Sequence, residues 1–89
     1  MSVEIIPAII AKNFKELTDK VQLVESYADW VQLDIMDGKF VPNRTWRKPK
    51  DLQTFNPRVF LEAHLMILNP EKHAKEWILA GVKRIIFHI

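Results

Sequence analysis

The sequence predicts an α/β protein built on a parallel sheet, and three observations support this. Strand and helix patterns alternate in the order strand, helix, strand, loop with a short helix, strand, helix, strand, which is the order of right-handed βαβ units. The 89 residues, 48% of them hydrophobic, suit one domain with a modest core. One face of two strands is polar, which favours part of a (β/α)8 barrel over an open doubly wound sheet.

The first part of the chain predicts a strand over 4–10, a helix, and a second strand over 30–36. Asn13 can cap the helix, with Glu16 three residues later as the partner of a capping box. Four apolar residues fall on one helical stripe: Phe14, Leu17, Val21 and Val24. This spacing predicts an amphipathic helix that ends near 26–27.

The second part predicts a long loop with a short helical turn near 50–55, a strand over 58–66, a helix, and a last strand over 82–89. The pair at 69–70 offers a capping asparagine followed by a proline at the first helical position. Gly81 is expected to end this helix, because glycine tolerates a positive φ. No segment has the composition of a linker.

Polar and apolar positions alternate along the second and third strands. Alternate side chains of a strand face opposite ways. One face of the second strand therefore carries Gln32, Asp34 and Met36, and one face of the third strand carries Glu62, His64 and Met66. Asp34 and His64 stand near the C-terminal strand ends, where parallel α/β folds place their active sites. Such a pair suits either a divalent metal or a proton transfer, and the pattern leaves both open.

Structural interpretations of the same residues are also open. His64 is explained equally well as a core histidine that is bound by Glu62 or by a backbone carbonyl. Asp34 is harder to explain in this way, because a buried carboxylate without a partner costs roughly several kcal/mol. Met36 and Met66 suit either an adaptable wall beside a small ligand or ordinary packing. Asp37, with the glycine that follows it, is expected to form a turn.

Composition excludes several classes of protein. The absence of cysteine excludes disulfides and thiolate metal sites. No apolar run approaches the roughly 20 residues that cross a bilayer, and no signal-peptide pattern is present, so a cytoplasmic protein without a membrane partner is expected. The net charge is only +2. A basic cluster could meet phosphate or RNA, but a solvated loop is the preferred interpretation and nucleic acid is not expected as a partner. The cluster lies next to Trp46 and consists of Arg44, Arg47, Lys48 and Lys50.

Several motifs occur in the order found in one enzyme family. The longest is DWVQLDIMDGKFVPN at 29–43, followed by 63–66, 69–70, 80–81 and 87–88. On these motifs, which span nearly the whole chain, the sequence resembles the N-terminal half of the ribulose-phosphate 3-epimerase family. The resemblance implies about four βα units of a (β/α)8 barrel of the ribulose-phosphate-binding type. The chain would then be a single partial barrel domain over 1–89, with the C-terminal half absent.

The resemblance also implies an activity and a cofactor. Members of the family interconvert D-ribulose 5-phosphate and D-xylulose 5-phosphate by proton transfer at C3, a step of the pentose phosphate pathway, with a divalent metal such as Zn, Fe or Mn. Asp34 matches the aspartate that is both metal ligand and general acid/base. His64 matches a histidine that binds metal and substrate. Met36 and Met66 match methionines that pack near the enediolate.

Two positions depart from the family pattern. Gln32 stands where the family has a metal-binding histidine, and an amide oxygen is a poorer zinc ligand than imidazole. Ala8 stands where the family has a serine that touches substrate. Metal binding is therefore expected to be weak or absent in this chain alone. The resemblance also implies a second catalytic aspartate in the absent half, so the chain by itself is expected to be inactive or nearly so. The alternative hypothesis is a non-catalytic half-barrel that binds a phosphorylated ligand or a partner protein through its open sheet edges. Self-association through the same edges is a separate expectation.

Overall fold

The computed structural model describes residues 4–88, which form a four-stranded parallel sheet in the order β1-β2-β3-β4. The strands are β1 (Ala8–Ile9), β2 (Trp30–Met36), β3 (Phe60–Met66) and β4 (Arg84–Phe87). Helix α1 (Phe14–Val24) connects β1 to β2, and helix α2 (Ala74–Leu79) connects β3 to β4. The predicted α/β alternation is confirmed, and strands that pair in sequence order are what the first four units of a (β/α)8 barrel require.

The core lies on the apolar face of the sheet. Val31 and Leu33 of β2 are 0% exposed, and Ile35 is 1% exposed. Helix α1 contributes the predicted stripe, of which Leu17 and Val21 are buried. Within residues 4–88, no helix is long and apolar enough to span a bilayer. Burial on one face of β2 leaves its alternate side chains free to build a polar site on the other.

The long loop between β2 and β3 is anchored in the same core. Trp46 is buried, and its ring lies 5.5 Å from the rings of both Phe14 and Trp77. A 3₁₀ helix forms at Pro49–Thr54, close to the short helical turn predicted at 50–55, and it buries Leu52. The basic side chains around Trp46 are exposed, which agrees with a solvated loop: Arg44, Arg47, Lys48 and Lys50.

Helix α1 begins as predicted and ends slightly early. The Asn13 side chain accepts a hydrogen bond from the Glu16 backbone N–H at 2.9 Å, which is the predicted cap. The Glu16 carboxylate pairs with Lys20 at 3.0 Å, one turn further on. The last helical residue is Val24, and turn residues follow it up to Tyr27.

Three predicted boundaries are wrong. The strand predicted over 4–10 is reduced to Ala8–Ile9, because β1 pairs only with β2 and the preceding Pro7 has no N–H. The last strand covers Arg84–Phe87, and the end of its predicted range at Ile89 lies outside the described residues. Asn69 makes no side-chain cap; it adopts a left-handed conformation with φ 52°, which asparagine tolerates better than most residues do.

The helix predicted after residue 69 is also divided. A 3₁₀ turn at Pro70–Lys72 precedes α2, and α2 ends before Gly81, whose φ of 118° confirms the predicted role of that glycine.

Asp37 joins the loop after β2 to the loop after β3. Its Oδ1 accepts hydrogen bonds from the backbone N–H groups of Lys39 at 2.8 Å and Phe40 at 3.0 Å. Its Oδ2 accepts from the N–H of Leu68 at 3.0 Å. Gly38 has a φ of 78°, so the predicted turn is confirmed. Burial alone would raise the pKa of Asp37, but these backbone hydrogen bonds outweigh it and lower the pKa to about 2.

Asp37→Asn should lower the free energy of unfolding by about 1–2 kcal/mol at neutral pH, because a neutral amide accepts these bonds more weakly than a carboxylate does. The folded pKa of about 2 lies below the ordinary value of 3.8, so the ionised group stabilises the fold above pH 3.8 and this contribution disappears as the pH falls to about 2. Urea denaturation of both proteins across that range should show a difference that closes in acid. A difference that stays constant would contradict the carboxylate's role.

Candidate active site

Asp34 and His64 lie side by side at the C-terminal ends of their strands. The β2–β3 register places them directly opposite one another. Asp34 Oδ1 lies 3.6 Å from His64 Nδ1, and the two side chains are 13% and 23% exposed. Two positions predicted separately from the sequence are therefore brought together on one face of the sheet.

The Asp34 carboxylate is electrostatically unusual. Its Oδ1 is the one buried side-chain oxygen or nitrogen within residues 4–88 that has no hydrogen-bond partner. Burial raises the pKa of Asp34 above its ordinary value of 3.8, and the nearby imidazole of His64 offsets only part of this effect. A buried carboxylate with a free oxygen and a raised pKa can accept a proton or bind a cation.

A second polar row lies next to this pair, toward the N-terminal ends of the strands. Gln32 stands opposite Glu62, and Glu62 stands opposite Arg84. Gln32 Nε2 donates to Glu62 Oε2 at 3.1 Å, and Arg84 Nε lies 3.0 Å from Glu62 Oε1. Glu62 is thus engaged on both oxygens, and it is not the partner of His64. The sequence predicted that Gln32 and Glu62 lie on this face, but it did not predict that they bond to each other or that Arg84 pairs with Glu62.

Aromatic and thioether side chains surround the pair. Met36 and Met66 stand opposite each other one step beyond it, Met36 buried and Met66 partly exposed. The ring of His88 lies 5.6 Å from the ring of His64, and Phe40 stacks on His88 with ring centroids 5.8 Å apart. The loop after β2 therefore reaches across to the end of β4. The sequence assigned neither Phe40 nor His88 to the site, and His88 was interpreted as structural, because their contact joins residues far apart in the chain.

Ala8 contributes no polar group to the site. It stands opposite Gln32 in the β1–β2 ladder, and its side chain is a methyl group. The side of Gln32 that faces β1 is therefore apolar at this position.

The donor groups near Asp34 fit part of a divalent metal site. Among residues 4–88 there is no group of three or more His, Cys, Asp or Glu side chains that could hold a metal ion. The free Asp34 oxygen and the imidazole of His64 nevertheless supply two donors of suitable chemistry next to each other. This pair fits as two ligands of a cation whose remaining donors come from other groups.

These features define the class of protein. A parallel sheet in sequence order, with a buried carboxylate beside an imidazole at its C-terminal edge, is the first half of a (β/α)8 barrel with a candidate site at the mouth. The sequence model of the ribulose-phosphate 3 epimerase family matches residues 4–89. The chain belongs to this family.

Known members of the family are similar over almost the whole chain. The ribulose-phosphate 3-epimerase of Mycobacterium leprae is 41% identical over 86 residues, which are 94% of this chain and 38% of that protein. The enzyme of the same name from Synechocystis sp. is 35% identical, covering 99% of this chain and 39% of its own length. A cytoplasmic isoform from Oryza sativa subsp. japonica is 35% identical over 97% of this chain and 39% of its own length. The chain thus spans about two fifths of the length of these relatives.

Proposed function

We propose that these 89 residues supply one half of a ribulose-phosphate 3-epimerase site, which interconverts D-ribulose 5-phosphate and D-xylulose 5-phosphate by proton transfer at C3. The observation that carries the proposal is the buried, unpartnered Oδ1 of Asp34, 3.6 Å from His64 at the C-terminal strand ends. Under this proposal the chain forms one partial barrel domain. Its substrate is a phosphorylated ketose that lies over this edge of the sheet.

Asp34 would act as the general base on one face of the substrate. The C3–H bond is adjacent to the carbonyl at C2, so the electron pair released on deprotonation moves toward the carbonyl oxygen and forms an enediolate. The buried carboxylate of Asp34, with its free oxygen at the strand ends, supports the assignment of Asp34 as the acceptor of this proton. A bound divalent cation would supply Lewis-acid stabilisation of the charge on the substrate oxygen. Asp34 and His64 are the residues that would hold it.

Inversion at C3 also requires a proton donor on the opposite face of the substrate. Within residues 4–88, the other inward carboxylate on β2 and β3 is Glu62, and both its oxygens are engaged by Gln32 and Arg84. Glu62 also projects from the strand next to that of Asp34, one row nearer the N-terminal strand ends, so it cannot face Asp34 across a substrate. The 89-residue chain tested by itself should therefore give no measurable epimerisation.

A completed barrel tests the proposal. The 89 residues would be joined to the part of the Mycobacterium leprae relative that lies C-terminal to the match, and assayed on D-ribulose 5-phosphate with Mn²⁺, Zn²⁺ or Fe²⁺. We expect formation of D-xylulose 5-phosphate and uptake of deuterium at C3 from D₂O. The 89-residue chain alone is the matched control. A completed barrel that folds, as judged by circular dichroism and cooperative unfolding, but does not exchange C3–H would contradict the proposal.

A second candidate function is a non-catalytic half-barrel that binds a phosphorylated ligand, a partner protein or a second copy. The edge strand β4 favours it, because Ile86 and Phe87 are each 40% exposed and an open edge is prone to pairing. Under this proposal the folded completed barrel would be inactive. Sedimentation of the 89-residue chain would then reveal a defined dimer or complex, whereas a monomer at all concentrations would argue against pairing with a second copy.

A further inference from the structure

A half-open cleft lies between the loop after β1 and the loop after β2. Its volume is about 430 Å³, within the range of roughly 300–1,000 Å³ that small-molecule sites occupy. Its aromatic wall is formed by Phe14 and Trp46. Its basic side chains are those of Lys12, Arg47 and Lys48, of which the last two belong to the basic cluster noted in the sequence. The cleft gives these side chains a common surface.

The aromatic wall of the cleft is fixed by three contacts. The Trp46 backbone N–H donates to the Ala11 carbonyl at 2.8 Å, which ties the loop after β2 to the loop after β1. The Trp46 indole Nε1–H donates to Asp51 Oδ2, also at 2.8 Å. The rings of Trp46 and Phe14 lie 5.5 Å apart. The cleft is therefore formed before a ligand arrives, and little ordering of its wall would oppose binding.

The cleft carries an excess of positive charge. Three cationic side chains and one carboxylate, that of Asp51, line it, which leaves a net charge of +2. The whole chain also has a net charge of +2, so the charges of its other residues cancel. The Asp51 carboxylate already accepts the Trp46 indole N–H, and within residues 4–88 none of the three cations forms an ion pair. Like charges held together in this way attract an anion.

This cleft is separate from the candidate active site. Trp46 belongs to the hydrophobic core and Phe14 packs against it, on the apolar face of the sheet. Asp34 and His64 project from the other face of β2 and β3. A molecule in the cleft would therefore not occupy the position proposed for the substrate.

We propose that the cleft binds a small phosphate monoester that carries a compact aromatic group. A phosphate monoester has a charge of about −1.5 to −2 at pH 7 and three acceptor oxygens, which suits the net charge of the cleft. The planar guanidinium of Arg47 can donate to two of these oxygens at once, and the ammonium groups of Lys12 and Lys48 add point charges. An aromatic group suits the wall, because aromatic rings attract one another in tilted and edge-on contacts. The proposal does not depend on epimerase activity.

Nuclear magnetic resonance of the unmodified 89-residue chain tests the proposal. Phenyl phosphate is the probe, and the indole N–H signals of the tryptophans report where it binds. The Trp46 signal should shift saturably as the probe concentration rises. Trp30 is the matched control, because it lies at the N-terminal end of β2 and its ring contacts Phe60 on the other face of the sheet. Its signal should not shift.

Two simpler probes separate the contribution of the charge from that of the ring. Inorganic phosphate keeps the charge without the ring, and phenol keeps the ring without the charge. Each should bind at least about tenfold more weakly than phenyl phosphate, because each lacks either the buried apolar area or the charged hydrogen bonds. Inorganic phosphate that binds as tightly as phenyl phosphate would show a site for free phosphate and overturn the proposal. Phenol that binds as tightly would overturn it as well.

Substitutions in the cleft test which side chains hold the phosphate. Arg47→Gln and Lys12→Gln should each weaken the binding of phenyl phosphate by about fivefold or more, because each removes a charge and its hydrogen bonds. Both residues are exposed, so the fold should be kept. Arg58→Gln and Lys75→Gln make the same chemical changes at exposed positions outside the cleft. These two controls should bind the probe as wild type does.

Three further results would each overturn the proposal. They are the absence of a saturable Trp46 shift, an equal shift of Trp30, and wild-type binding by both Arg47→Gln and Lys12→Gln. Shifts at His64 in place of Trp46 would place the probe in the candidate active site and have the same consequence. The titration needs neither substrate nor a second half, so it fails separately from the proposed function. An active completed barrel whose cleft binds no phenyl phosphate would overturn only this inference.

Discussion

Asp34→Asn should lower the kcat of the completed barrel by about 10²–10⁴-fold, the range that a positioned general base contributes. An amide of nearly the same shape cannot accept the C3 proton at neutral pH and is also a weaker cation ligand than a carboxylate, so the proton transfer is lost. The buried, unpartnered Oδ1 of Asp34 is the reason to expect an effect at the upper end. Rates would be measured as conversion of D-ribulose 5-phosphate and as deuterium uptake at C3.

Asp29→Asn is the matched control for this substitution. Asp29 precedes β2 at its N-terminal end and is exposed, so the same chemical change occurs next to the same strand but at the opposite edge of the sheet. We expect its kcat to stay within about twofold of wild type, as exposed substitutions far from a site usually do. Equal losses in both variants, or a fully active Asp34→Asn, would refute the role assigned to Asp34.

Leu33→Ala should destabilise the chain by about 2–5 kcal/mol, because it removes a fully buried side chain and leaves a cavity. Leu33 is 0% exposed at the centre of β2, between strands on both sides. Since small domains have only about 5–15 kcal/mol of stability, this one change could remove much of it. The measurement is urea denaturation followed by far-UV circular dichroism.

The chain offers a matched control at Leu23. This leucine lies on α1 and is 74% exposed, so Leu23→Ala removes the same atoms from a site where they contribute little burial. Its unfolding free energy should change by no more than about 0.5 kcal/mol. Similar losses for the two variants would mean that the burial of β2 is not the main source of stability.

Elements with a regular pattern of hydrophobic and polar residues were predicted well. β2 covers Trp30–Met36 as the alternation predicted, and the apolar stripe of α1 faces the core. The polar face of β2 and β3 followed from the same alternation, which is why Asp34 and His64 could be proposed as a pair. The turn at Asp37 also followed from local chemistry, because an aspartate side chain can accept hydrogen bonds from the backbone N–H groups that follow it and a glycine tolerates the turn conformation.

Elements that depend on neighbours were predicted poorly. β1 and β4 are shorter than their patterns suggested, because an edge strand keeps ladder bonds only where a partner lies beside it. Asn69 is a residue type that often caps helices, but it has a left-handed backbone conformation and its side chain makes no capping hydrogen bond. The stacking of Phe40 on His88 joins segments that no local period connects.

The sequence by itself determined the alternation of strands and helices, the faces of the central strands, and the family to which the chain belongs, since all of these are encoded in local residue order. Only the tertiary structure decided what the polar side chains do. The register of the ladder pairs Asp34 with His64 and gives Glu62 to Gln32 and Arg84. Side chains that are brought together across strands compete for the same hydrogen-bond partners. The spacing of residues along the chain does not show which of these bonds form.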